Sequence, residues 1–177
     1  MAKIFSVQGS PQVRGLIKRG YENLRQVESC SAGKEQLPVF VPIWMDPLMT
    51  FSADTYGHSL LHLVGARNIF EDRKRLYPLA ADLGNATPMS DDKVGTRDIR
   101  YPRVTPTEIV ERSPHLILLP DEPHPFTEED REVFLAQDTP AARDKRVLFC
   151  DGKDIFWHGA WSIDAMLRVQ SIVEGNR

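Results

Sequence analysis

The sequence predicts an α/β fold: a three-layer lobe with a mainly parallel sheet flanked by helices, preceded by a helical segment. Two observations lead to this prediction. Apolar, β-branched runs typical of buried strands alternate along the chain with amphipathic helical patterns. Each strand run also continues directly into a loop rich in aromatic residues, prolines or glycine. Since strand–helix–strand units cross over with a right hand, the loops after the strands are expected along one edge of the sheet.

Composition limits the kind of protein that this can be. The 177 residues are 41% apolar and 27% charged, which suffices for one domain with a hydrophobic core. A net charge of −3 offers no basic surface for nucleic acid. No apolar run approaches the roughly 20 residues that cross a bilayer, and the N-terminus lacks the apolar core of a secretory signal. Either the protein stays inside the cell or its leader is missing from this chain.

The N-terminal part, residues 1–36, is predicted to be helical, and residues 37–177 are predicted to form the lobe. Residues 11–29 follow an amphipathic helical pattern, and Gly33 lies beyond its end. Residues 2–7 fit the end of another helix. The positions expected to face inward on the first pattern are Val13, Leu16, Ile17, Tyr21, Leu24 and Val27.

The lobe begins with a strand predicted at 39–44. Asp54 or Thr55 then caps a helix that ends at Gly65. The apolar face of that helix carries Tyr56, Leu60, Leu63 and Val64. Residues 71–100 are polar and show no sustained period, which predicts a long surface excursion that is either functional or poorly ordered.

The next strand–helix unit begins with a strong helix start. Thr105 can cap a short helix, and Glu108 can reach back to the cap amide. Residues 115–119 are the second buried strand, and Thr127 starts the helix after it by the same capping logic.

The last unit begins with a strand predicted at 146–150. Asp151 and Gly152 then form a turn, and an aromatic loop leads to a final helix that ends near Glu174. Its inward-facing residues are predicted to be Ala165, Met166, Val169, Ile172 and Val173.

Aromatic side chains collect in the segments that follow the strands. All three tryptophans lie there, and each can bury on the order of 200 Å². Any one of them could close the end of the core, but together at one edge they favour a binding surface for a large, flat or apolar ligand. Pro47, Pro123 and Pro125 would hold these loops rigid and lower the cost of ordering them. The aromatic residues concerned are Trp44, Phe51, Phe126, Phe156, Trp157 and Trp161.

Signs of catalysis are few. The sequence has no glycine-rich phosphate loop and no Gly-x-Ser-x-Gly motif. Asp121, Glu122 and His124 can ligate a metal or share a proton, yet their alternation with prolines is more typical of a turn with solvated charges. Cys30 and Cys150 lack the spacing of a metal or redox pair and are interpreted as single thiols.

Two further histidines, His58 and His62, are four residues apart on a predicted helix, a spacing that can bind zinc. They lie off its apolar face with no third ligand nearby, so two histidines facing solvent are the preferred interpretation. We therefore predict no catalytic residue, metal site or cofactor.

Four segments, in this order, carry a family resemblance. They are 42–50 (Pro-Ile-Trp-Met-Asp-Pro-Leu-Met-Thr), 60–70 (Leu-Leu-His-Leu-Val-Gly-Ala-Arg-Asn-Ile-Phe), 101–104 (Tyr-Pro-Arg-Val) and 112–119 (Arg-Ser-Pro-His-Leu-Ile-Leu-Leu). Their order and spacing resemble the C-terminal lobe of the cobalamin and siderophore substrate-binding proteins of ABC importers. These class III receptors have two lobes joined by a long backbone helix. The likeness covers roughly 37–174, and the predicted N-terminal helix corresponds to part of the backbone helix.

The resemblance implies capture of a corrinoid such as cobalamin, or of a ferric siderophore, without catalysis and without a cofactor of the protein's own. It also implies a periplasmic location and docking on an ABC permease through an exposed glutamate at a helix start. Thr107 stands where that acid is usual, so its neighbour Glu108 is the candidate. His124 or His158 is a candidate ligand of a corrin cobalt. The predicted ligand-binding residues are Trp44, Asp46, Phe51, Tyr101, Asp121, Glu122, His124, Phe126, Trp157, His158 and Trp161.

Two departures from the family leave other interpretations open. The first lobe has no counterpart here, so a separate first lobe or a second copy of this chain is expected to complete the cleft. The excursion at 71–100 is also longer than usual. One alternative is a small metal-dependent enzyme that uses Asp121, Glu122, His124 and His158. Another is a module that dimerises through the aromatic edge.

Overall fold

The computed structural model describes residues 9–177, and it contains one parallel sheet and one small hairpin. The strands are β1 (Leu37–Phe40), β2 (Trp44–Met45), β3 (Leu48–Met49), β4 (Ala66–Asn68), β5 (Leu116–Pro120) and β6 (Val147–Cys150). Four of them form the parallel sheet in the order β4-β1-β5-β6, and β2 pairs with β3 in the antiparallel hairpin. All residues of β5 are buried, as expected for an inner strand with helices on both faces.

The described residues form eight α-helices, and some of them begin at the predicted start signals. They are α1 (Pro11–Ser31), α2 (Tyr56–Leu63), α3 (Asp91–Val94), α4 (Pro106–Arg112), α5 (Glu128–Leu135), α6 (Pro140–Arg143), α7 (Gly152–Phe156) and α8 (Ser162–Glu174). Thr55 caps α2, and Thr105 and Thr127 form capping boxes at the starts of α4 and α5. Within the described residues, no helix is both long and apolar enough to cross a membrane.

The sheet has a hydrophobic layer on each face, because neighbouring residues of a strand point to opposite sides. Val39 and Leu118 pack with residues of α1, α2, α7 and α8. Phe40 and Leu119 point the other way and pack with residues of α4, α5 and α6, including Phe134. The predicted three-layer α/β lobe with a mainly parallel sheet is therefore confirmed.

Strand prediction was wrong in two places. The first strand ends at Phe40 and not at 44, because Pro42 follows closely and the Ile43 amide bonds the Met49 carbonyl at 2.8 Å, which turns the chain into the β2–β3 hairpin. Strand β4 (Ala-Arg-Asn) was not predicted. It has only three residues, and its pairing with β1 at the edge of the sheet makes it a strand.

The segment after β6 also differs from the prediction. Asp151 and Gly152 do not form a simple turn: the Asp151 carboxylate accepts a hydrogen bond from the Lys153 amide at 2.9 Å and caps α7. As a result, Ile155 and Phe156 lie on a short helix rather than in a loop, and Ile155 is fully buried. Helix α6, which Thr139 caps, was likewise not predicted.

Helix α1 is confirmed, but its predicted inward face is only partly correct. Val27 is fully buried, whereas Ile17 and Tyr21 are 52% and 62% exposed. Asn23 is the polar residue that enters the contact with α8, where its amide donates to the Ile163 carbonyl at 2.7 Å. The first half of α1 therefore presents apolar side chains that none of residues 9–177 covers. The segment 2–7 lies outside the described residues.

The excursion at 71–100 is anchored to the lobe by a buried ion pair. The Asp82 side chain is fully buried, and its Oδ1 lies 3.3 Å from Nη1 of Arg73. Arg73 also bonds the Glu108 carboxylate through Nε at 3.0 Å. The excursion contains a short 3₁₀ helix (Leu79–Leu83).

Candidate ligand-binding site

A cleft of about 440 Å³ lies at the carboxyl edge of the parallel sheet. It is lined by Ile43, Tyr101, Glu122, Pro123, Phe156 and Trp157. Apart from Tyr101, each of these residues lies in a segment that follows β1, β5 or β6. From β1 the chain passes to β4 on one side and later to β5 on the other. The cleft therefore lies where the strand order changes direction, the usual ligand-binding position in open α/β sheets.

Tyr101 is brought to the cleft by backbone pairing. The Thr50 amide bonds the Pro102 carbonyl at 3.2 Å, and the segment after β3 thereby holds the chain around Tyr101. The Arg100 guanidinium lies 5.5 Å from the Tyr101 ring centroid. It is itself bound to both carboxylate oxygens of Asp98, which lowers the pKa of Asp98 to about 2.

A smaller hollow of about 120 Å³ continues the cleft behind Tyr101 and Phe156, both of which line the two spaces. Phe51 forms part of its wall, with its ring edge-to-face on Phe156 at 5.8 Å. Phe51 is almost fully buried, so it supports the cleft from within. The Tyr56 hydroxyl is buried here, and burial raises the pKa of Tyr56. The His158 ring lies 6.0 Å from the Tyr56 ring.

Trp44, His124 and Phe126 form an aromatic cluster next to the cleft. Their neighbours in sequence, Ile43 and Pro123, line the cleft itself. The Trp44 and His124 ring centroids are 5.3 Å apart with the rings tilted, and those of His124 and Phe126 are 4.7 Å apart and edge-to-face. Phe126 is buried and belongs to the core, whereas Trp44 is 44% exposed. The cluster therefore runs from the hydrophobic core to the surface, with Trp44 as its outer ring.

Trp157 and Trp161 have different roles in the structure. The Trp161 indole nitrogen donates to Oδ1 of Asp154 at 2.9 Å, and Arg168 lies over its ring at 5.5 Å. Asp154 is buried and also bonds Nε of Arg168 at 2.7 Å, so Trp161 is fixed. Trp157 packs against Trp161 at 6.3 Å, is 50% exposed and lines the cleft.

The three predicted acidic residues lie at different places relative to the cleft. Asp121 accepts a hydrogen bond from the Gly152 amide at 2.7 Å, which ties the end of β5 to the start of α7. Asp46 is exposed, and its carbonyl accepts from the Trp44 indole nitrogen at 2.9 Å. Glu122 alone of the three lines the cleft, and its Oε1 is buried with no hydrogen-bond partner among the described residues.

Residues 9–177 contain no group of three or more His, Cys, Asp or Glu side chains that could hold a metal ion. His62 is exposed and its Nδ1 lies 2.7 Å from the Gln36 amide nitrogen, while His58 is half-buried beside it. Cys30 is exposed, and burial together with nearby Asp121 raises the pKa of Cys150 to about 12. The geometry gives the metal-dependent enzyme no support.

Glu108, the candidate docking residue, is engaged within the lobe. Its Oε2 accepts a hydrogen bond from the Thr105 amide at 2.9 Å, as a capping box requires, and its Oε1 bonds Arg73. The neighbouring Thr107 is exposed at the helix start. Docking through Glu108 stays a prediction.

Three residues that line the cleft are absent from the predicted ligand-binding residues: Ile43, Pro123 and Phe156. Ile43 was interpreted as the interior of a strand, but it lies in the bend between β1 and the hairpin and lines the cleft. The available signal was Pro42, which makes a continuing inner strand unfavourable.

No family model matches the sequence, and no curated protein is similar to it. The structure is similar to periplasmic heme-binding protein RhuT from Roseiflexus sp. RS-1, with a TM-score of 0.68 and 14% identity over 99% of this chain and 59% of that one. Periplasmic vitamin B12 binding protein BtuF of Vibrio cholerae gives a TM-score of 0.65 and 14% identity over 97% of this chain and 57% of that one. Periplasmic heme binding protein HutB of the same species gives a TM-score of 0.66 and 16% identity over 97% of this chain and 59% of that one.

This chain therefore spans less than two thirds of the length of each of these neighbours. The low identities limit the comparison to the fold. That fold agrees with the resemblance found in the sequence, including the parallel sheet with flanking helices. The chain thus has the fold of a lobe of a class III periplasmic binding protein.

Proposed function

We propose that this chain is a ligand-binding lobe of an ABC-importer substrate-binding protein and that it captures a flat metal complex, a corrinoid or a ferric chelate, without catalysis. One observation carries the proposal: the 440 Å³ cleft at the carboxyl edge has aromatic rings in its wall. Its volume falls within the range of about 300–1,000 Å³ that is usual for small-molecule sites.

The chemistry of the wall suits a flat ligand. Tyr101 and Trp157 supply aromatic faces, and Ile43 and Pro123 supply apolar surface that a macrocycle can cover. The ordering cost of binding is low because Trp157 packs against Trp161, and the Trp161 ring is already held by its hydrogen bond to Asp154. Heme and vitamin B12, named for the similar proteins, are both flat macrocycles, which supports a ligand of this shape.

The same comparisons support a periplasmic location and a permease partner for this chain. The similar proteins are longer than this sequence, which supports the proposal that a first lobe or a second copy of this chain covers the open side of the cleft.

A titration tests the proposal. Dicyanocobinamide, hydroxocobalamin and hemin are each added to the purified chain, and tryptophan fluorescence is corrected for ligand absorption with free N-acetyltryptophanamide. We expect saturable quenching by at least one of these ligands. Quenching that stays linear into the high micromolar range for all of them would contradict the proposed function.

Replacing Trp157 by alanine is expected to weaken binding of the active ligand by about tenfold, because loss of one aromatic contact costs on the order of 1.4 kcal/mol. Since Trp157 is half-exposed, its removal should leave the urea unfolding midpoint nearly unchanged. Phe149→Ala, which removes an exposed aromatic residue of β6 that does not line the cleft, is the control and should bind as the wild type does. Equal affinities of the two variants would exclude Trp157 from the site.

A further inference from the structure

The cleft wall contains a carboxylate that the lobe does not satisfy. Glu122 lines the cleft, and its Oε1 is buried with no hydrogen-bond partner among the described residues. The residues around it in the cleft wall are mostly apolar or aromatic, including Ile43, Phe156 and Trp157. A carboxylate with one oxygen buried and without a donor is unfavourable, so the Glu122 carboxylate is a candidate for contact with a ligand.

The position of Glu122 is fixed by its surroundings. The preceding residue, Asp121, is bound to the Gly152 amide at 2.7 Å. A Cβ added at Gly152 would lie 2.5 Å from the Glu122 carbonyl oxygen and 2.6 Å from its Cγ, so the two segments pack as closely as a glycine permits. Glu122 therefore cannot leave the cleft wall without moving the start of α7.

Charged groups beside the rings of the cleft limit which ligands suit it. Arg100, beside Tyr101, already pairs with both oxygens of Asp98 through its Nε and Nη2. The Lys153 ammonium lies 5.7 Å from the Trp157 ring and would favour an anion. A carboxylate on the ligand opposite Glu122 would meet a like charge in a partly dry site, which is unfavourable. An amide or hydroxyl at the same place would donate to it.

We propose, on the basis of the function proposed above, that Glu122 accepts a hydrogen bond from the rim of the ligand and thereby selects a corrinoid over a porphyrin. The rim of a corrinoid carries carboxamides, whose N–H groups are donors. The rim of heme carries propionates, which are anionic acceptors. Glu122 is then the specificity-determining residue of the cleft.

The test compares dicyanocobinamide and hemin on the wild type and on Glu122→Gln. The glutamine keeps the size and one acceptor oxygen but removes the charge, so dicyanocobinamide should bind about five- to tenfold more weakly. Hemin should bind more tightly by a similar factor, because the like charge is gone. Lys153 is present in both proteins, so opposite changes in affinity for the two ligands can be attributed to Glu122. Glu111→Gln, at an exposed position of α4, is the control and should change neither affinity.

Urea unfolding verifies that the variants are folded, and Glu122→Leu gives a second measurement because it removes both acceptor oxygens. Glu122→Leu should weaken the binding of dicyanocobinamide more than Glu122→Gln does. Parallel changes for the two ligands, or none, would overturn the selectivity role while leaving the proposed function standing. If the wild type binds neither ligand, the proposed function fails and the role of Glu122 fails with it.

Discussion

Replacing Gly152 by alanine is expected to lower the free energy of unfolding by about 1–3 kcal/mol and to weaken ligand binding. The new Cβ would lie 2.5 Å from the carbonyl oxygen of Glu122 and 2.9 Å from its amide nitrogen. Both are backbone atoms, so a side-chain rotation cannot relieve the contact. The segment after β5 must move, and with it Glu122 and Pro123, which line the cleft.

A matched glycine serves as the control. Gly15 lies on α1, and a Cβ added there would have no heavy atom within 4 Å, so Gly15→Ala should stabilise the chain by roughly 0.5–1 kcal/mol through helix propensity. Urea unfolding of both variants measures the two effects. A Gly152→Ala chain as stable as the wild type would show that the two segments pack more loosely than these distances require.

Replacing Asp82 by alanine should cost still more, about 3–5 kcal/mol, because it removes a fully buried carboxylate that pairs with Arg73 and accepts hydrogen bonds from two backbone amides. The Asp82 side chain is fully buried, and its Oδ1 accepts from the Leu76 amide at 2.6 Å and lies 3.3 Å from Arg73. Its Oδ2 accepts from the Arg103 amide at 3.2 Å. The effect should reach the cleft, since Arg103 is two residues from Tyr101.

Asp138→Ala is the control for this prediction. Asp138 pairs with Arg143 at 2.9 Å on the surface, where both side chains are largely exposed, and its loss should change stability by less than about 1 kcal/mol. Urea unfolding compares the two variants, and hydrogen exchange at the Leu76 amide should accelerate only in Asp82→Ala. If the two variants lose equally little stability, the ion pair does not anchor the excursion.

Local signals explain what the sequence could predict. The capping boxes at Thr105 and Thr127 and the apolar run of β5 depend on residues close in the chain, and all three were found as expected. Strand β4 depends on pairing with β1, some 30 residues away in sequence, and its three residues carry little pattern of their own. Capping by the Asp151 side chain similarly converted a predicted turn into α7.

The candidate site was predictable to the extent that topology determines it. Parallel strands end at a common edge, so the segments with Trp44, His124 and Trp157 were expected near one another, and the first two rings are 5.3 Å apart. The pattern could not distinguish lining residues from supporting ones: Phe51 and Trp161 hold the wall, while Ile43 lines it. The helical period of α1 identified the face that carries its apolar side chains, but those side chains are buried only where another surface packs against them.

The most direct test of the ligand-binding edge uses the three tryptophan indole N–H signals in a ¹⁵N-labelled sample. Single Trp→Phe variants assign the signals, and dicyanocobinamide is then titrated into the wild type. We expect saturable shifts that are largest for Trp157, because its ring lines the cleft, and smallest for Trp161, whose N–H is bonded to Asp154. A titration that leaves the Trp157 signal unmoved while others shift, or that moves none of the three, would contradict the account.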